Sequence, residues 1–284
     1  MSLTLSAGPW QAELRPEVGG VLASLTLDGT EVLRTMPQGV THPLEAACFP
    51  LVPYCNRIRD GRFTFAGREI VLPPNFAPER HSIHGLAWQR EWRVESAVEG
   101  KCVIVDDYDG LGAWPWGYRA EQRVRLGDKG CAITLVLTNR GDTAMPAGIG
   151  LHPYFRRREG ARVRFAADHV LLSDPECLPT GVTAPADHFA DFRHGAALPP
   201  ETVDHCFAGW SGEATIEDDL GTIAITASGA PHLHVYAPAD GSALCLEPVG
   251  HTPDAPNRAP EAMTILPPGC SATLTLRISA ESFS

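Results

Sequence analysis

Apolar residues alternate along the chain in short runs, and turn-forming residues separate the runs. A period of two predicts half-buried β-strands. The run 21–27 is followed by Asp28-Gly29 and then by 31–33. An Asp-Gly pair between apolar runs predicts a hairpin, because both central residues of a type I′ turn need positive φ. The run 62–65, Ala66-Gly67 and 69–72 repeats the theme. Further strands are predicted over 92–96, 102–105, 118–126, 131–138, 162–165, 214–217, 222–226, 232–236, 243–246 and 272–279. No window holds a 3.6-residue period, so any helices are short. Many short strands without βαβ alternation predict an all-β fold of antiparallel sheets packed face to face.

Length and composition narrow this picture. The 284 residues hold no Gly/Ser linker, charge block or repeat at fixed period, so one domain spanning 1–284 is expected. The Pro-rich stretch 253–268 reads as a loop between two late strands. With 34 acidic against 23 basic residues the net charge is -11. That disfavours nucleic acid and anionic membranes, both of which are bound through Lys and Arg. No stretch approaches the ~20 apolar residues of a membrane span. The first twenty residues show no signal-peptide pattern, and the eight cysteines are scattered without a Cys-x-x-Cys pair. Reduced thiols in a cytoplasmic protein are expected.

Five segments could carry chemistry. In the first, prolines 50 and 53 precede Asn56-Arg57, which offer donors to sugar hydroxyls or merely form a turn. The second is His81-Ser82-Ile83-His84-Gly85-Leu86-Ala87-Trp88. There Gly85 would let backbone approach a ligand, and Trp88 could stack on a sugar face. The same His-x-x-His could be half a metal site, but no further ligands stand at a recognisable spacing, so no metal is expected. In the third, a strand ends in His152-Pro153, which puts His152 at a sheet end. Its reference pKa of about 6.5 suits proton transfer, although a backbone-bonded structural His is equally compatible. The fourth is Asp204 in a loop before Phe207, either a hydroxyl acceptor or a turn cap. In the fifth, an apolar strand terminates in Glu247, followed by Pro248. Burying that carboxylate would raise its pKa and make it a competent base.

These segments, in this order, resemble the aldose 1-epimerase (galactose mutarotase) family. The matching strings are Asn56-Arg57-Ile58, His84-Gly85, His152-Pro153-Tyr154-Phe155, Asp204 with Phe207, and Glu247 followed by Pro253-Asp254-Ala255. Among its members the chain looks similar to shorter bacterial ones. The resemblance implies a large antiparallel β supersandwich and interconversion of the α and β anomers of a free aldose. It implies Glu247 as the general base at the C1 hydroxyl and His152 as the general acid at the ring oxygen. Arg57 and His84 would orient the sugar and stabilise charge, while Asn56 and Asp204 would hold other hydroxyls. Such chemistry moves only protons and implies no cofactor.

Two departures stand out. The family usually shows His-Gly-Gly, where this chain has His84-Gly85-Leu86. It tends to carry Gln in the strand matching 232–236, where His234 stands here, on the same face as His232 and Tyr236. Both bear on which sugar is taken and leave the acid–base pair intact. Arg156-Arg157-Arg158 keeps a sugar-phosphate mutarotase or epimerase open, although such a run is usually a solvated loop. A non-catalytic carbohydrate-binding protein is the other alternative. The expected partner is a small sugar, and the expected state a monomer or homodimer.

Overall fold

The computed structural model describes residues 2–282. Two large sheets dominate it. One has eleven strands. Ten run in the order Leu3–Ala7, Trp10–Arg15, Val21–Leu27, Cys48–Leu51, Gly150–Pro153, Cys245–Val249, His232–Ala237, Val203–Ala208, His169–Ser173 and Pro179–Pro185, and Thr30–Leu33 branches from Val21–Leu27. The other has nine: Arg93–Val98, Lys101–Tyr108, Tyr118–Gly127, Gly130–Asn139, Ser271–Ser282, Gly221–Ser228, Glu213–Asp218, Arg162–Phe165 and Ala196–Ala197. Pairing within both is antiparallel. The expected supersandwich is therefore present.

One buried apolar cluster joins the inner faces. It takes Leu14, Leu25, Leu151, Leu233, Val235 and Leu246 from the larger sheet, and Ile104, Val124, Leu135, Ile225 and Leu276 from the smaller. Both predicted hairpins form. Asp28 and Gly29 have φ of 49° and 77°, and Ala66 and Gly67 have 50° and 76°, as a type I′ turn requires. Helices are short: the α-helix Ala255–Arg258 has four residues. No helix among the described residues is long and apolar enough to cross a membrane.

Three adjoining strands at the middle of the larger sheet depart from the predicted pattern. Cys48–Leu51, Gly150–Pro153 and Cys245–Val249 are buried at every position, so they show no polar alternation. Each contains a proline: Pro50 lies opposite Leu151, Pro153 opposite Cys48, and Pro248 opposite Leu233. The expectation that proline ends the ladder at His152 and at Glu247 is thus corrected. Both residues stand inside central strands. The chain after Pro153 stays attached because the Tyr154 N–H bonds the Ala47 carbonyl at 2.8 Å. The stretch 253–268 is not a simple loop either. It holds Ala255–Arg258, the 3₁₀ turn Pro260–Ala262 and the strand Thr264–Leu266, which pairs with Met145–Ala147.

Candidate active site

Register across the middle of the larger sheet brings distant residues into rows. His152 lies opposite Phe49, Glu247 opposite His234, and His234 opposite Cys206. Two residues along, Tyr154 lies opposite Cys245, Cys245 opposite Tyr236, and Tyr236 opposite Asp204. Strand residues two apart share a face. One face therefore carries His152, Tyr154, Cys245, Glu247, His234, Tyr236 and Asp204, while Leu151, Leu233, Val235 and Leu246 enter the core from the other. Asp204 is accordingly a strand residue and not the loop residue expected.

A small strand pair, Arg57–Ile58 with Ser82–Ile83, brings Asn56 and His84 to this face. Asn56 Nδ2 reaches within 3.5 Å of His234 Nε2. The His84 ring meets the His152 ring edge-on at 5.4 Å. Asn56 and His84 both adopt left-handed φ, 53° and 60°. The His84 N–H donates to the Asn56 carbonyl at 2.9 Å, which locks the two together. Gly85 serves a different approach from the one predicted. A Cβ there would lie 1.9 Å from the Val52 carbonyl oxygen, so the glycine admits backbone and not a ligand. Trp88 is fully buried against Phe49, His84 and Phe76, so it buttresses His84 and cannot stack on a sugar.

Glu247 and His152 form a close pair at the centre of the cluster, with Oε1 and Nε2 3.2 Å apart and both residues buried. Burial pushes the Glu247 carboxyl up to about 8; Asp204 adds to this, and the charges of His234 and Arg57 oppose it. Burial takes His152 down to about 3, helped by the charges of His234 and Arg34. The His152 ring also stacks on Phe49 and on Tyr154, at 4.6 and 4.7 Å between centroids.

Around this pair stand two ion pairs. His234 Nε2 lies 2.7 Å from Asp204 Oδ1. Burial opposes charge on both, but their mutual hydrogen bond and opposite charges, with Arg57 and Cys177 acting on Asp204 and Cys206 and Glu247 on His234, together outweigh it. Asp204 falls to about 2 and His234 rises well above its ordinary value. Arg57 Nη2 and Nε donate to the two oxygens of Glu79 at 2.8 and 3.4 Å. Burial lowers the guanidinium, and Glu79 more than restores it. His84 is driven well below its ordinary value by burial and by the neighbouring His152 and Arg57, so it is neutral. Its buried Nδ1 has no hydrogen-bond partner among the described residues.

All seven residues singled out from the sequence, Asn56, Arg57, His84, His152, Asp204, His234 and Glu247, therefore meet in one cluster. Four more were missed. Glu79 and Cys177 come from loops that carry no periodic signal; Cys177 sits beside Asp204 and Arg57. Cys245 and Tyr154 had a usable signal, because each stands two residues from Glu247 or His152 on the same strand face. A ring nitrogen of His152, Cys245 Sγ and a Glu247 oxygen lie within 4.8 Å of one another, a group that could hold a metal ion. The His81 and His84 pair makes no such group: His81 Nδ1 instead accepts the Asp60 N–H at 3.0 Å.

The arginine run is already occupied. Arg156 is buried in a bidentate pair with Asp218, at 2.7 and 2.9 Å. Arg157 donates to the Pro238 and Ala243 carbonyls, and Arg158 pairs with Asp219. Only the last fits a solvated loop.

Comparison with known proteins agrees with this fold. The sequence matches the aldose 1-epimerase family over residues 2–279. An uncharacterized Escherichia coli K12 protein, YphB, is 34% identical over 98% of both chains. The galactose mutarotase of Mus musculus is 30% identical over 55% of this chain and 47% of its own. A crystal structure of an aldose 1-epimerase candidate from Escherichia coli K12 superimposes with a TM-score of 0.92 at 30% identity, covering 100% of this chain and 99% of that one. A galactose mutarotase-like protein from Clostridium acetobutylicum shares the fold, with a TM-score of 0.86 at 22% identity over 99% and 95% of the two chains. Sheet order, the clustered acid and base candidates and the family match over nearly the whole sequence lead to one conclusion: this chain belongs to the aldose 1-epimerase family.

Proposed function

We propose that the protein is a mutarotase that interconverts the α and β anomers of a free, unphosphorylated aldose, with Glu247 and His152 as its acid–base pair. The observation that carries this reading is that pair: a carboxyl and an imidazole, buried and 3.2 Å apart, displaced in opposite directions. Between about 3 and about 8 the two together hold one proton. Burial favours it on Glu247 in the empty site. Its transfer to His152 yields the base and the acid that the reaction needs.

Glu247 then takes the proton of the C1 hydroxyl while His152 gives its proton to the ring oxygen. The bond between C1 and the ring oxygen breaks, and C1 becomes a carbonyl. Rotation about C1–C2 and the reverse transfers close the other anomer and restore the pair. No electrons are exchanged with a third group, so the cycle calls for no redox cofactor. Each well-placed acid or base contributes about 10²–10⁴-fold. Arg57 and Asn56 hold the sugar from the covering segment, Asp204 and His234 from the sheet, and neutral His84 orients it from beside His152.

A binding protein gains nothing from burying such a pair, which costs folding free energy and serves no hydroxyl that a neutral amide would not serve. The arginines support an unphosphorylated substrate: Arg156 and Arg158 pair with carboxylates, Arg157 with carbonyls, and Arg57 with Glu79. The inner faces of both sheets share one core, which supports reading the described residues as a single domain. The eight free cysteines, six of them buried, support a reducing, cytoplasmic setting.

The test is mutarotation of freshly dissolved α-aldoses followed by polarimetry, for wild type, Glu247→Gln and His152→Ala. Acceleration by wild type and its loss in both variants is the expected result. Binding of free sugars without acceleration would overturn the reading in favour of a binding protein; acceleration confined to 6-phosphates would overturn the substrate class.

A further inference from the structure

Glu247 leads, within seven residues, to two buried polar groups that the chemistry above leaves unused. His251 and Asp254 are each 1% exposed. Their partners lie on the segment that holds Asn56 and Arg57. We propose that His251 and Asp254 are positioning residues: together they clamp residues 55–59 to the segment that follows the base, and so fix Asn56 and Arg57 relative to Glu247. The inference rests on the reading that Asn56 and Arg57 hold the sugar.

The clamp has two jaws. His251 Nδ1 lies 2.8 Å from the Thr252 carbonyl, which only a donor can satisfy. That leaves Nε2 as an acceptor, and it takes the Cys55 N–H at 3.0 Å. Burial, which lowers this imidazole to about 4, keeps it in the neutral form that such a bond requires. At the second jaw, the Asp254 N–H donates to the Arg57 carbonyl at 2.8 Å. Asp254 Oδ1 accepts the Arg59 N–H at 3.0 Å and is itself steadied by Asn257 Nδ2 at 2.7 Å. Residues 55, 57 and 59 are thus pinned in alternation.

Asn56, between the first two pins, has φ of 53°. A non-glycine residue holds that conformation only where its surroundings over-determine it. Its own Oδ1 accepts the Arg57 N–H at 2.8 Å, which aims its amide nitrogen toward the sheet face. Asp254 has φ of 54° and is likewise held left-handed. Two strained residues, one on each side, mark where the clamp closes.

A third position gives independent control of the first jaw. A Cβ at Gly148 would lie 1.9 Å from His251 Cδ2 and 2.3 Å from Nε2. Gly148→Ala therefore displaces the imidazole from Cys55 without touching a residue assigned to the sugar.

The experiment compares His251→Ala, Asp254→Ala and Gly148→Ala with the conservative His251→Gln and Asp254→Asn. It reads KM and kcat for mutarotation, exchange of the Cys55 amide, and the Arg57 Nε–H resonance. In the first three variants KM rises about 10- to 100-fold, as loss of alignment by an ångström commonly produces. The kcat changes by less than about threefold, the Arg57 resonance shifts, and the first-jaw variants lose protection at Cys55. His251→Gln and Asp254→Asn, which keep an acceptor oxygen, recover most of the affinity. Unchanged KM in folded variants, or an unmoved Arg57 resonance, would overturn the clamp. Should the alanine variants of His251 and Asp254 not fold, Gly148→Ala and the two conservative variants decide by the same readings. The resonance needs no turnover, so a wild type that accelerates no sugar condemns the mutarotase reading alone.

Discussion

The smaller sheet and the middle of the larger one meet the same packing demand with opposite residue patterns. In the smaller sheet, Tyr118–Gly127 and Gly130–Asn139 run for ten residues each and alternate buried with more open positions almost without a fault. One face meets the core and the other carries Thr134 and Thr138 hydroxyls paired across to Thr275 and Ser271. In the larger sheet, Cys48–Leu51, Gly150–Pro153 and Cys245–Val249 are half as long, buried on both faces and interrupted by proline. Their second face is polar yet dry: His152 and Glu247 stand there, 6% and 2% exposed. A sheet that only supports can leave its polar face to water. One that performs chemistry withdraws that face from water, and its titratable groups leave their ordinary pKa range.

Four measurements can break this contrast. The largest effect belongs to the buried pair. Glu247→Gln and His152→Ala should each lower kcat/KM by about 10²–10⁴-fold in polarimetric assays, with the double variant losing little more than either alone. Next is pH. Above about 8 the pair surrenders its one proton, so kcat/KM should fall roughly tenfold per unit beyond that point and stay level from about pH 5 to 7. In the smaller sheet the signature reverses. Leu135→Ala, at a fully buried position, should cost about 2–5 kcal/mol in denaturant unfolding and leave turnover per folded molecule unchanged. The smallest effect carries the most information. The folded Glu247 carboxyl, near 8, lies above its unfolded value of about 4.3, so its contribution to stability is lost as pH rises between the two. Glu247→Gln removes that loss and should stabilise the protein by roughly 1–3 kcal/mol at pH 8, with no gain at pH 4.

The same contrast governs what could be read from sequence. Where one face meets solvent the period of two survives, and the strands of the smaller sheet, apart from Ala196–Ala197, were legible to within three residues of their ends. The strands Cys48–Leu51 and Gly150–Pro153 have no such period, and proline argued against their pairing, so the first went unread and the second was read as ending at His152. Val203–Ala208 carries Asp204 and His205 side by side, which breaks alternation and made Asp204 look like a loop residue. Trp10–Arg15 alternates cleanly, so its period of two was available, yet it was not among the predicted strands. At the site, residue type and order singled out seven positions only through the family resemblance they carry. Burial, the partner of each charge and the loop residues Glu79 and Cys177 depend on contacts between segments more than twenty residues apart.

The rows across the larger sheet also have a consequence in time. Phe49, His152, Glu247, His234 and Cys206 become neighbours only when chain segments separated by up to about two hundred residues have been brought into register. Such non-local pairings are slow to form, because loop closure precedes any gain from contact. No early, locally folded fragment can therefore hold the complete site. During refolding, sugar turnover should return only with the last cooperative phase, after tryptophan fluorescence has begun to recover, which makes catalysis a late reporter of the whole fold.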